Sequence, residues 1–343
     1  PSASFAYCYI PQGAIREYMG FDEMDVDTIW QDGSFVDWDD ATVHVLTHGL
    51  HYGTGVFEGV RCYDTENGPA IFRWEEHLDR FYQSTQPYDM ELPYSREELT
   101  EATLELLRRE GLESCYIRPI AFYGYKRLGL SPKDIPVRVS IACWPWGAYL
   151  GDDALESGID VGVSSWRKYR SDAIPATAKT GGAYVNNVLA AQEAARNGYD
   201  EAIVLNTEGD VAEGPGENLF LVRDGELFTP EIAAGALDGV TRRSAIRLAR
   251  DMGYTVHDDV TVSRGELYTA DELFFTGTAA EVTPIRSVDG VTVGDGEKGP
   301  ITDEIQTRFF EVLEARPAEY EDWFTDVDAP ERSTRRAETR RAD

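Results

Sequence analysis

The chain has 343 residues, 42% of them apolar and 11% aromatic, which is room for two domains with sizeable cores and excludes a disordered or fibrous chain. Asp and Glu total 62 against 32 Lys and Arg, a formal net charge of -30, which repels nucleic acid and anionic membranes; the only basic stretch is short, at 332–341. No apolar run approaches the roughly 18 residues of a membrane span. The first twenty residues lack the basic-then-apolar order of a secretory signal, and Cys8, Cys62, Cys115 and Cys143 show no metal or disulfide spacing, so a reduced cytoplasmic protein is expected.

In chain order, residues 1–27 have weak periodicity and read as an irregular arm. Residues 30–36 read as a strand, an Asp32-Gly33 turn and a second strand. A strand over 55–63 turns back at Asn67-Gly68-Pro69. Helices are predicted over 74–84 and 95–110, the second opened by a Ser95/Glu98 capping box and ended by Gly111. Strands over 114–122 and 137–143 follow. The Gly- and Asp-rich residues 148–158 read as an interdomain linker. Beyond it come a strand at 159–164, a small-residue segment at 176–184, and a helix at 187–197. Strands at 201–205, 218–222 and 226–228 precede a helix at 241–252. A capped turn at Ser263/Glu266, a strand at 272–276 and a helix at 302–313 complete the pattern. From about 330 the chain is charged, poor in apolar residues, and expected to be disordered. Many hairpin signals and no regular βαβ rhythm give an α+β class: a smaller domain over 28–147 and a larger one over 159–328. No P-loop is present, and no G-x-G-x-x-G opens a predicted strand–helix unit.

The basic residues are lopsided, with only five lysines (126, 133, 168, 179, 298) against 27 arginines. Dispersed acid with little lysine is a solubility device of saline cytoplasms. It also isolates Lys179, which lies in an uncharged stretch, Ala176-Thr177-Ala178-Lys179-Thr180-Gly181-Gly182-Ala183-Tyr184. Partial burial there lowers an amine's pKa, as Schiff-base chemistry requires, although a lysine in a Gly/Ala/Thr loop can be unremarkable.

Between two predicted strands, Glu213-Gly214-Pro215-Gly216-Glu217-Asn218 offers carboxylates that suit a pyridine nitrogen, or simply an acidic turn. The turns Gly239-Val240-Thr241 and Gly277-Thr278-Ala279 are capable of holding a phosphate, or of ordinary capping. His44, His48 and His51 would share a face on a helix, but their surroundings read as strand and loop, so no metal site is expected. Tyr116 and Arg118 lie two apart on a strand and point to one side, where the arginine suits a carboxylate or a salt bridge.

Taken together, seven segments resemble the branched-chain amino-acid aminotransferases, of the fold type IV class of pyridoxal-phosphate enzymes. They are His51 to Tyr63, Tyr116-Ile117-Arg118-Pro119, Trp144 to Leu150, the Lys179 segment, Glu213 to Phe220, Gly239 to Arg242, and Gly277 to Glu281. The likeness covers about residues 28–315. It implies a two-domain α+β fold of the D-amino-acid aminotransferase type, with residues 159–328 binding pyridoxal phosphate.

The resemblance assigns Lys179 to the cofactor aldehyde and to proton transfer, Glu213 to the pyridine nitrogen and Tyr184 to the phenolic oxygen. Arg80, Val240, Thr241 and Thr278 would take the phosphate. Tyr52, Phe57, Gly59 and Trp146 would line an aliphatic pocket, with Tyr52 reaching across a homodimer interface. Tyr116, Tyr149 and the backbone at Thr278 and Ala279 would hold the substrate carboxylate, and Arg118 the side-chain carboxylate of glutamate or 2-oxoglutarate. The implied partners are small amino acids, 2-oxo acids and a second copy of the chain. The implied activity is transamination of leucine, isoleucine and valine. Competing readings are a D-amino-acid aminotransferase or aminodeoxychorismate lyase of the same fold, and a noncatalytic binding protein.

Overall fold

The Asp32-Gly33 hairpin forms one edge of an eight-stranded antiparallel sheet in the computed structural model, which describes residues 24, 26–147 and 150–328. The arm before residue 24, Tyr149 and the tail from 329 lie outside the described residues. The chain divides into two units, a smaller one of Val26–Trp146 with the residues from Phe310, and a larger one beginning at Gly147 and running to Phe309.

In the smaller unit the strands run in the order Phe324–Asp326, Gly68–Phe72, Val60–Thr65, Cys115–Tyr123, Val137–Trp144, Thr28–Gln31, Ser34–Asp37. From Ile117 to Tyr123 every second residue is buried, the period of a strand with one face on a core. Helices Trp74–Thr85 and Arg96–Glu110 supply Trp74, Leu78, Phe81, Leu99, Leu106 and Leu107 to that core. The Ser95/Glu98 capping box forms as its spacing predicts, and Gly111 closes the helix at φ 63°.

Pro119, which has no N–H to donate, sits in a central strand where its neighbour changes. Val60 pairs with Ile117, Phe57 with Ile120, and Glu58 and Gly59 fill the gap between. The Glu58 N–H donates to the Pro119 carbonyl at 2.9 Å and fixes the residue in that gap.

The larger unit is built on a nine-stranded mixed sheet. Ile159–Arg167 pairs in parallel with Glu201–Leu205, and Glu226–Pro230 with Val256–Val260. Ile159–Arg167 also pairs in parallel with Glu281–Val288; parallel neighbours need a crossover, and helices Gly181–Arg196 and Val240–Asp251 provide those of the first two pairs. Two βαβ units and one further parallel pair therefore lie among the antiparallel pairs of this sheet. Strands 201–205 and 218–222 are buried throughout, so they carry no alternation.

Several expectations need correction. Residues 150–158 are no bare linker: they contain helix Asp152–Ser157, and Leu150 and Ala154 join the larger unit's core. The larger unit ends at Phe309, because strand Phe324–Asp326 pairs with Gly68–Phe72 and Val327 enters the smaller core. The helix expected at 187–197 begins at Gly181, six residues early, because Gly181-Gly182 hides its start. His48–Tyr52 is a short helix rather than loop. Strands Val256–Val260 and Glu281–Val288 carried no recognised signal.

Candidate active site

In the larger unit, Lys179 stands two residues before helix Gly181–Arg196, and the helix returns Tyr184 to it. The Lys179 amine and the Tyr184 hydroxyl are hydrogen-bonded, and Nζ lies 4.8 Å from the ring centroid. Both line a cavity with Lys168, Asn187, Glu213 and Glu217. Glu213 ends the short strand Val211–Glu213 and is 5% exposed. One carboxylate oxygen accepts from the Lys168 ammonium. The other accepts from Asn218 Nδ2 at 3.3 Å and from the Leu237 N–H at 2.8 Å. Burial works against the Lys168 charge, but the Glu213 carboxylate outweighs it and holds the lysine above its ordinary pKa. Asn187 completes the cluster: its Oδ1 is 3.5 Å from Lys168 Nζ, and its Nδ2 donates to the Pro215 carbonyl at 2.5 Å.

Helix Val240–Asp251 starts in the same unit. Gly239 is its N-cap and brings no capping side chain to the first amides. A Cβ at 239 would lie 2.0 Å from Asn218 Oδ1, so only glycine lets the Glu213 ligand and the helix start approach this closely. Thr278 and Ala279 form the turn between strands Glu272–Gly277 and Glu281–Val288. Thr276 pairs directly with Asn218, so the two side chains share a face, and the buried Thr276 hydroxyl has no hydrogen-bond partner among the described residues.

In the smaller unit, Glu58 in the Pro119 gap is 1% exposed and grips Arg80 with both oxygens, at 2.7 Å to Nε and 2.8 Å to Nη2. His77 Nδ1 bonds the same carboxylate at 2.8 Å. Burial alone would raise the Glu58 pKa, but Arg80 and His77 overcome it and hold the carboxyl well below its usual range.

Tyr116 and Arg118 do share a side, and Arg118 Nη2 donates to the Tyr116 hydroxyl at 3.2 Å. The guanidinium carbon lies 4.9 Å from the Phe57 ring centroid, 5.2 Å from Tyr116 and 5.9 Å from Trp144. Trp146 packs 5.2 Å from Tyr116. No carboxylate among the described residues pairs with Arg118, and its buried Nε has no acceptor. A Cβ on Gly59 would come within 1.9 Å of the Tyr116 hydroxyl, so the glycine makes room for this aromatic box. Tyr52 lies at the end of the short helix, exposed. The nearby histidines have protein partners: His48 bonds Thr54 Oγ1 and the Gly129 carbonyl, and His51 bonds the Val45 carbonyl.

The structure thus brings Lys179, Tyr184 and Glu213 together, and separately Phe57, Gly59, Tyr116, Arg118 and Trp146. Tyr149 is outside the described residues. Sequence reasoning missed Lys168, Asn187, Asn218 and Leu237. For Lys168 a signal existed, since it is one of five lysines and follows a strand.

Residues 55–288 match the amino-transferase class IV family. The chain is 49% identical over 297 residues to the branched-chain-amino-acid aminotransferase of Pseudomonas aeruginosa, covering 87% of this chain and 96% of that one. Its structure matches the crystal structure of the Escherichia coli branched-chain amino acid aminotransferase with TM-score 0.87 and 47% identity, over 88% of this chain and 100% of that one. The branched-chain amino acid aminotransferase of Thermobaculum terrenum in its PLP form matches with TM-score 0.82 and 36% identity, over 89% and 100%. The chain belongs to the class IV aminotransferases and, within them, to the pyridoxal-phosphate-dependent branched-chain-amino-acid aminotransferases.

Proposed function

We propose that this chain transfers the amino group of L-leucine, L-isoleucine or L-valine to 2-oxoglutarate, giving branched 2-oxo acids and L-glutamate. The observation that carries the reading is Lys179, hydrogen-bonded to Tyr184, in one cavity with Glu213 held by three donors. The residues present fit pyridoxal phosphate. An amine meets its aldehyde, a carboxylate its pyridine nitrogen and a phenol its phenolic oxygen. Uncapped amides at Val240 and Thr241, with Thr278, suit its phosphate, and the unpartnered Thr276 hydroxyl marks polar capacity the described residues do not use themselves. Arg80 is proposed as a further phosphate ligand.

When bound, the cofactor supplies an electron sink for the charge left at the substrate Cα. Lys179 Nζ takes the Cα proton as general base and later returns it as general acid. Tyr184 orients that amine. Lys168, Asn218 and the Leu237 amide fix the Glu213 carboxylate in place. Tyr116, Tyr149 and the backbone at Thr278 and Ala279 are proposed to hold the α-carboxylate.

Arg118 is proposed to take the side-chain carboxylate of glutamate, while Phe57, Trp146, Tyr52 and Gly59 are proposed to line the space for a branched side chain. An arginine among rings suits both, because the rings partly satisfy its charge when an aliphatic side chain is present.

A homodimer is part of the reading. Val43, Val45, Leu46, Leu50, Tyr52 and Leu130 are exposed apolar side chains on segments tied together by the His48 bonds to Gly124 and Gly129, a surface suited to a second copy. Among the described residues no helix is long and apolar enough to cross a membrane. The -30 charge and five lysines support a cytoplasm of high salt as the working environment.

The test is glutamate formation from 2-oxoglutarate with each L- and D-amino acid. Turnover with L-leucine, L-isoleucine and L-valine is expected. Turnover confined to D-amino acids would replace this reading with the D-specific one.

A further inference from the structure

We propose that Glu217 is a positioning residue of the cofactor cavity, whose carboxyl group sets the protonation of the Lys179 nitrogen. The proposal rests on the reading of Lys179 as the cofactor-binding amine.

Glu217 is 4% exposed and lines the same cavity as Lys179. Among the described residues its carboxyl accepts one hydrogen bond, a local one from the Gly216 N–H to Oε2 at 2.9 Å. No Lys, Arg or His among the described residues pairs with it. In a chain of 62 acids an exposed carboxyl needs no explanation, but a buried one without a cation does. Its seat is built for it. A Cβ on Gly214 would lie 2.7 Å from Glu217 Oε2, and one on Gly277 would lie 3.6 Å from Glu217 Cγ. Gly214 leaves the space that the carboxyl occupies, and Gly277 borders it at ordinary contact distance.

Glu213 and Glu217 are four residues apart in one cavity, yet their surroundings differ. Glu213 has an ammonium and two N–H donors, whereas Glu217 has one N–H. Burial pushes the Glu217 carboxyl up, the Gly216 N–H opposes it, the Glu213 charge adds to it and Lys179 draws it back, leaving it at about 7. Carboxyls placed in such unlike settings take different parts in the same chemistry.

The ionisable groups facing Glu217 in the cavity are Lys179, Lys168, Tyr169, Tyr184 and Glu213. Lys168 is committed to Glu213, which leaves Lys179 as the cation whose charge answers to Glu217. As pH rises and Glu217 ionises, its negative charge favours the protonated Lys179 nitrogen. The two groups therefore titrate as a coupled pair.

The experiment is a pH titration of the visible absorption of the holoenzyme reconstituted with pyridoxal phosphate, in wild type and Glu217→Gln. That absorption reports protonation at the Lys179 nitrogen. Glutamine keeps the volume and an acceptor for the Gly216 N–H but cannot ionise. The expected result is a midpoint lower by about one pH unit or more in Glu217→Gln, with the two-step wild-type curve becoming one step. Equal midpoints and equal shapes would overturn the proposal.

Should the variant not fold, the wild-type curve alone decides: a single-proton curve overturns the proposal, and a two-step curve supports it. A visible band that persists in Lys179→Ala overturns the Lys179 reading and the proposal with it, an outcome distinct from equal midpoints.

Discussion

In the smaller unit the buried acid is compensated and the cation is not: Glu58 holds Arg80 and His77, while Arg118 sits among Phe57, Tyr116 and Trp144 without a carboxylate among the described residues. In the larger unit the buried cation Lys168 is paired with Glu213, and the acid Glu217 makes no ion pair among the described residues. Pairing a buried charge stabilises the arrangement only when both partners are present. A charge left without a partner costs stability and is retained where something else will use it. In a chain with nearly two acids for every base, keeping acids away from Arg118 requires a wall of rings, and the sheet supplies one. On the proposed reading the smaller unit supplies the site for an anion, and the larger the amine whose proton moves.

Removing the amine should do the most damage. Lys179→Ala should lower transamination by at least about a thousandfold, the scale of a lost general base and covalent anchor, measured as glutamate formed from L-leucine and 2-oxoglutarate. The fold should be intact by circular dichroism.

Next in size is the compensated acid. Glu58→Gln leaves the Arg80 charge buried without its partner and should cost about 3–5 kcal/mol of stability in denaturant titrations. The pH dependence follows from the sign of the shift. The folded Glu58 pKa lies below its ordinary value of 4.5, so its contribution is present above that value and is lost as pH falls below it. Wild type should therefore lose stability on acidification below about that pH, and Glu58→Gln should lose less.

Arg118→Met separates the anion site from the amine site within one active protein. It should cost the 2-oxoglutarate half-reaction about 1.5–3 kcal/mol in kcat/KM, the worth of hydrogen bonds to a charged group, and change the leucine half-reaction little. Equal losses in both would remove Arg118 from carboxylate recognition. A still smaller loss is expected far from either charge: Ser95→Ala should cost about 1 kcal/mol in thermal unfolding, through the capping box, with activity unchanged.

What could be read before the structure was local. Ser95 with Glu98 and Ser263 with Glu266 each contain their partner three residues away, and both capping boxes form. Lys179 stood out because its neighbours are small and uncharged and lysines are few. What could not be read was approach through space. Lys168 and Glu213 are 45 residues apart, and their contact depends on two strands neither of which announces the other. Glu217 was visible as one more acid in an acidic chain, and only its place in the Lys179 cavity distinguishes it. The early start of helix Gly181–Arg196 was hidden by two glycines that disfavour a helix locally, while Ala183, Asn187, Ala190 and Ala194 bury its inner face.

The most direct measurement is the absorption spectrum of the protein loaded with pyridoxal phosphate in high salt, before and after L-leucine and then 2-oxoglutarate. The expected result is a visible band that fades with L-leucine and returns with 2-oxoglutarate, which records both halves of the reaction in one sample. A protein that takes up no cofactor, or a band that neither substrate alters, would contradict the assignment of Lys179 and of the transamination built on it.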